Sequence, residues 1–191
     1  MKKNNTNNSN SAIINDVDLT GDTLTSRAGL ALFVRYLRNI ELLPYLENLF
    51  FKIRKSRKGE EISEIFKQLF CFFMDATSRH LLHFDTLKED EGYAGSIETD
   101  PEYMLSSHQV KRFFRAMLLP WGFVFRKVLR KLFVWRLQMV KPLMIIIGLD
   151  TMVMNNDEAE NRHGVKPTYK KEKGFQPIQM TWGRFIIDAI F

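Results

Sequence analysis

The residue with the most chemistry to explain is Asp150, a lone carboxylate in the apolar run MIIIGLDTMVM at residues 144–154. An ionised carboxylate is unfavourable in strands and costly to desolvate. On a buried strand it therefore calls for a hydrogen-bond network, an ion pair or a metal ion. Other acids offer less. Asp157, Glu158 and Glu160 follow in a polar segment and read as solvated, and Asp188 lies in a later apolar run. His80 and His83 have a spacing that can bind metal, but no third ligand lies near them, and packing or surface placement is the better reading. The single cysteine, Cys71, allows neither an internal disulfide framework nor a cysteine zinc site, and points to a reduced, intracellular setting.

Cations are grouped rather than dispersed. The chain carries 28 Lys+Arg against 22 Asp+Glu, a net charge of +6 with pI near 9.4, in itself only a mild hint of a polyanionic partner. Between Glu102 and Asp150, however, no acid occurs, while Lys111, Arg112, Arg115, Arg126, Lys127, Arg130, Lys131, Arg136 and Lys141 all do. A second cluster, Lys52, Arg54, Lys55, Arg57 and Lys58, reads either as a solvated linker or as a DNA-backbone contact. In a third, KPTYKKEKGF, Lys166, Lys170, Lys171 and Lys173 interleave with Tyr169 and Phe175. That pattern suits phosphate contact plus base stacking, and equally a solvated hairpin tip with two anchoring aromatics.

The elements that must position these residues change in type along the chain. With 45% hydrophobic and 13% aromatic residues, the sequence can bury one ordinary core or two small ones. Residues 1–22 are Asn/Ser-rich and read as a disordered leader. From Thr25, Leu30, Phe33, Leu37 and Ile40 recur at helical intervals, and Pro44 marks a break before a second short helix. Residues 62–74 (ISEIFKQLFCFFM) are apolar nearly all round and predict a buried helix. Thr77 or Ser78 is a candidate cap for a following helix through SRHLLHFDTLKED, and EDEGYAGSIETDP predicts a loop closed by Asp100-Pro101. Ser106 and Ser107 then precede an amphipathic helix, HQVKRFFRAM. Its Lys111, Arg112 and Arg115 face one way, and Val110, Phe113, Phe114 and Met117 the other. This is a packed helix with a solvated basic face or a DNA contact; the preceding connector is too long for a strict helix-turn-helix. After Pro120, Arg126/Arg130 and Lys127/Lys131 predict one charged stripe on a second basic helix.

Beyond Pro142 the period changes, and apolar residues at both odd and even positions predict a central strand covered on two faces. Two more strands are expected at 175–181 and 184–191, joined at Trp182-Gly183. The class is α+β: a helical region followed by the opening of a β-meander. Three strands with no helix to cover them do not complete a domain. No signal peptide or transmembrane helix is expected, since the greasiest stretches are broken by cations.

Taken in order, ISEIFKQLFCFFMDATSRHLLHFDTLKEDEGY, MLSSHQVKRFF, LDTMVM and PTYKKEKGFQPIQMTWGRF resemble the transposases of bacterial insertion sequences that carry a DDE catalytic core. The resemblance runs from about Leu24 to the end. It implies a disordered leader at 1–22, a helical DNA-binding region at 23–140 and, at 141–191, the truncated start of a ribonuclease-H-like catalytic domain. Asp150 would be the first catalytic aspartate and a metal ligand, bridging two Mg²⁺ ions that serve the attacking and leaving oxygens. The second Asp and the Glu of that family have no counterpart here, so the chain alone is expected to be inactive. Double-stranded DNA, as element terminal repeats and target, is the implied partner. Lys111, Arg112, Arg115, Arg126, Lys127, Arg130, Lys131, Lys170, Lys171 and Lys173 are the candidate contacts. A cytoplasmic, nucleoid-associated location and, in the complete protein, a homo-oligomer are implied too. The alternatives are a non-catalytic DNA-binding or regulatory product, and a non-functional gene remnant.

Overall fold

The computed structural model describes residues 23–53, 59–117, 119–157 and 164–190. The expected leader, four cations of the first basic cluster (Arg54, Lys55, Arg57, Lys58), and Glu158 and Glu160 fall outside them. Among the described residues the architecture is α+β, seven α-helices followed by two small antiparallel sheets. Among the described residues no helix is long and apolar enough to cross a membrane.

Helices α1 (Gly29–Asn39) and α2 (Leu42–Phe50) each bury one stripe. Leu30, Val34 and Leu37 face inward from α1, and Leu42, Leu43, Leu46 and Phe50 from α2. The break between them is not at Pro44, as the sequence suggested, but at Glu41, whose φ of 54° lies in the left-handed region. Pro44 sits inside the first turn of α2, where a missing N–H leaves no helical bond unmade.

Helix α3 (Ile62–Asp75) runs through the middle of the core, yet Phe73 and Met74 emerge into solvent, so it is buried on one side rather than all round. Its buried polar residues act as ties. Gln68 Oε1 accepts from Leu105 N at 2.8 Å, and Nε2 donates to Tyr103 O and to Glu64 Oε1, both at 3.0 Å. Lys67 Nζ donates to Glu98 O at 3.0 Å and pairs with Glu64 at 2.9 Å. A buried amide with every partner in place fixes one geometry for the segment it holds, here the approach to the basic helices.

The helix expected from Ser78 starts later, as α4 (His83–Lys88), because Ser78 Oγ accepts from His80 N in a local turn that competes with helix. The acidic segment expected to be a loop contains a further helix, α5 (Glu91–Ser96). Asp90 caps it, accepting from Tyr93 N at 2.8 Å, and Tyr93, Ala94 and Ile97 are buried beneath it. Gly92 fits closely there, since a Cβ would sit 3.0 Å from Thr25 Cβ and 3.2 Å from Leu24 O. Arg27 binds Asp75 at 2.9 Å and Asp90 at 2.8 Å, clasping α3 and α5 together.

Helix α6 (Ser107–Ala116) follows, and then α7 (Leu119–Val140), 22 residues and about 33 Å long. Trp121 and Phe125 of α7 lie against Phe50, with ring centroids 5.6 and 6.3 Å away, and Val128 is buried among the helices.

The larger sheet has the order β1 (Ile147–Thr151), β5 (Ile178–Trp182), β6 (Phe185–Ile190), all antiparallel, with β5 and β6 joined at Gly183 (φ 58°) and Arg184. Glycine at the first of two loop positions suits a tight hairpin. The smaller sheet, β2 (Met154–Asn155), β4 (Lys173–Phe175), β3 (Lys166–Pro167), prolongs the β1–β5 ladder outward through Met152 N donating to Pro177 O. Strand β1 is not the doubly covered central strand expected. It is an edge of its sheet, with Ile146 72% and Leu149 70% exposed. Apolar runs on both faces signal a wish for cover, not its presence.

Candidate nucleic-acid interface and the Asp150 strand

Helix α6 is held rigidly at its start. Ser106 Oγ accepts from Gln109 N at 3.3 Å and Gln109 Oε1 accepts from Ser106 N at 2.8 Å, a complete capping box. Asp85 of α4 adds a second clamp, accepting from Ser107 N at 2.8 Å and Ser107 Oγ at 2.6 Å. Those hydrogen bonds hold the Asp85 carboxyl below its usual range. The inner face of α6 buries Val110 and Phe113, while Arg112 and Arg115 stand exposed and Lys111 is half-buried near Asp85. Ion pairs among the described residues take up Arg27, Arg35, Arg38, Lys67 and Arg126. Arg112, Arg115, Lys127 and Arg130 are left without one.

Arg126, Lys127, Arg130 and Lys131 of α7 do not form a single stripe. Successive residues of a helix turn by about 100°, so the columns 126/130 and 127/131 point in different directions. Arg126 is aimed at the sheet, where Nε donates to Asp188 Oδ1 at 2.6 Å and Nη2 donates to the other carboxylate oxygen. This bidentate pair holds the Asp188 carboxyl below its ordinary range, with Arg130 contributing. Arg126 is therefore occupied within the fold. Lys131 lies 4.5 Å from the centroid of the Tyr45 ring on α2, and Arg136 stacks 3.5 Å from that of Phe185 on β6. Lys127 and Arg130 remain exposed, beside an open cleft of about 640 Å³ between α7 and the α1–α2 junction.

The register of the sheet fixes where Asp150 points. Cross-strand partners share a face and alternate residues change face. Trp182, Phe185 and Asp188 all meet α7, through Phe133, Arg136 and Arg126 respectively. Met180 pairs with Asp188 and with Leu149, which places Leu149 on that same face. Asp150, paired with Gln179, is on the opposite face, which none of the described helices covers, alongside Gly148 and Thr181. Its side chain is exposed, and Oδ1 accepts from the N–H of Thr151 at 2.7 Å. An accessible carboxylate on a rigid strand suits cation ligation. A two-ion site, however, draws oxygens from several residues. Among the described residues no group of three or more His, Cys, Asp or Glu lies together, so on these residues alone the site does not fit two ions.

The lysines of the third cluster lie at the outer end of the arm that β1 and β5 begin. Asp150 is five positions from Asn155, whose partner is Gly174, so Lys173 is on the order of 17 Å from Asp150 along the arm. Lys173 N donates to Asp157 Oδ1 at 2.9 Å, and the Lys170–Lys171 turn is closed by Lys171 N donating to Thr168 O. Tyr169 is 64% exposed at this tip, with Lys170 Nζ 6.0 Å from its ring. Asp150 and the lysines share one arm without touching.

No protein-family model matches the chain, and neither a curated protein nor a solved structure does.

Sequence reasoning did not find the clamp from Asp85 to Ser107 or the pairing of Arg126 with Asp188. Both join residues far apart in the chain, and nothing local to either announces its partner. It also missed Tyr45 and Trp135 as walls of the α7 cleft, because an aromatic residue on an amphipathic helix normally reads as core.

Proposed function

We propose that this chain binds duplex DNA through α6, with Lys127 and Arg130 of α7 as additional phosphate contacts, and that it is the end-binding part of a DDE-type transposase. The observation that carries the reading is the set of exposed arginines on a helix whose start is clamped twice: Arg112 and Arg115, with Lys111 beside them. Phosphate contacts need cations that are free of internal partners and held in a fixed register, and counterion release then makes binding depend steeply on salt. The sheet of helix-covered and open faces, with Asp150 on the open one, is consistent with the start of a ribonuclease-H-like core. Cleavage and strand transfer are not assigned to the described residues, which supply Asp150 but no three-ligand metal group. Asp150 is proposed as one acid of a site that further carboxylates would complete.

A second reading, a DNA-binding product without catalysis, is favoured by the placement of Asp150 apart from other metal-ligating side chains among the described residues. The two separate in one assay. Both expect salt-sensitive duplex binding, and only the first expects Mg²⁺-dependent cleavage once further carboxylates complete the site. Absence of duplex binding at low salt would remove both.

A further inference from the structure

Beside the exposed cations of α7 lies a concave surface that a rigid duplex does not need. Its floor is α7 from Lys127 to Gln138, about 16 Å along the axis, and its far wall is the α1–α2 junction around Glu41. The two ends differ in character. At one, Lys127, Arg130 and Lys131 converge, with Lys131 lying over Tyr45 at 4.5 Å. At the other, Trp135 stands half-buried, its ring centroid 6.1 Å from that of Tyr36 in edge contact, so its position is braced from α1. Glu41, Asn39 and Gln138 line the cleft with hydrogen-bonding groups.

The geometry points to a subsite for an unpaired nucleotide: phosphate against Lys127 and Arg130, and the base against Trp135. This deepens the DNA-binding reading and rests on it. A paired base presents no free face, whereas an unpaired one offers a π-surface to an aromatic wall and its hydrogen-bonding edge to side-chain amides and carboxylates. A volume of about 640 Å³ is in the range of small-ligand sites and holds far less than a helix of duplex DNA. Glu41, the one acid lining the cleft, repels phosphate from its own end and so orients the strand with its backbone toward Lys127. Carboxylates also accept from exocyclic amino groups, so cytosine or adenine is preferred to thymine.

The test uses the full chain and three probes: a duplex, the corresponding single strand, and a duplex with one unpaired 2-aminopurine. Quenching of the 2-aminopurine on binding, with tighter binding to this probe than to the plain duplex, is expected. Trp135→Ala should abolish the quenching and weaken single-strand binding about tenfold, while plain duplex binding through α6 persists. Trp135→Phe should restore both. Because Trp135→Ala removes a braced side chain, the surface pair Lys127→Gln/Arg130→Gln provides a second reading: single-strand binding should weaken by more than plain-duplex binding, which keeps its α6 contacts, and its salt slope should fall by about one per cation. Unchanged single-strand binding in that pair, or unquenched 2-aminopurine with the wild-type chain bound, would overturn the subsite and leave duplex recognition standing. Failure of the wild-type chain to bind any of the three probes would instead remove the DNA reading itself.

Discussion

Asp188 on β6 grips Arg126 on α7 with both carboxylate oxygens, and this pair fastens the sheet to the helical region. It also decides which face of the sheet meets α7, because Trp182, Phe185 and Asp188 share the face that α7 touches and Asp150 lies on the other. The pair is partly exposed, so solvent screens it and its role is orientation more than stability. Arg126→Gln should loosen the sheet without altering the salt dependence of DNA binding. A reduced salt slope in that variant would mean that the guanidinium also reaches phosphate.

Acid should weaken the fold through two carboxylates. Asp188 and Asp85 are both held below the ordinary aspartate value of about 3.9, the first by Arg126 and the second by Ser107. A depressed folded pKa stabilises above the unfolded value, and that contribution is lost as pH falls through the folded one. Thermal melts from pH 6 downward should therefore hold steady until about pH 4 and then fall. Asp188→Asn and Asp85→Asn should each flatten the acid limb; an unchanged limb in both would contradict the assignment.

Gln68 is the polar tie of the helical core. Truncation to Ala strands Leu105 N in a buried setting and removes the bond to the partly exposed Tyr103 O, and an unsatisfied buried group costs on the order of 1–3 kcal/mol. A loss of roughly 2 kcal/mol or more in denaturant unfolding is expected. A change below about 0.5 kcal/mol would mean that water replaces the amide.

Burial pushes the Cys71 thiol up to about 12, so the nucleophilic thiolate is scarce in the folded chain. A thiol reagent at pH 8 should label Cys71 only as fast as the fold opens, and denaturant should accelerate labelling sharply. Rapid labelling under native conditions would contradict its burial.

How legible was this in the sequence? Helix α6 could be read to within a residue at each end, because the Ser106 cap is purely local. Helix α5 could not, since its glycines lower helix propensity and only contact with Thr25 and burial of Tyr93 outweigh that. The two columns of α7 cations were visible but their fates were not. Separate tertiary partners, Asp188 and Tyr45, claim Arg126 and Lys131, the first of them 62 residues away. The hairpin expected at Trp182-Gly183 lies one residue later, at Gly183-Arg184, and the strand expected at 175–181 begins only at Ile178. The setting of β1 was not legible, because apolar alternation reports a strand's preference for cover and says nothing of whether a neighbour supplies it.

That uncovered strand has a physical consequence. Ile146, Ile147 and Leu149 are all at least half exposed along an edge with unpaired backbone groups, an arrangement that favours strand-to-strand association. Leu149→Lys should lower the apparent mass of concentrated samples by light scattering and leave the melting temperature nearly unchanged. A monodisperse wild-type monomer at high concentration would count against an adhesive edge.

The central claim, that the clamped cations of α6 hold duplex DNA, is tested most directly by the salt dependence of binding with Lys111→Gln/Arg112→Gln/Arg115→Gln beside the wild-type chain. Fluorescence anisotropy from 50 to 200 mM salt should give a straight log–log plot for the wild type, and the triple variant should bind more weakly with a slope shallower by about three. Equal slopes for the two proteins, with binding intact, would contradict the account and move the interface off α6.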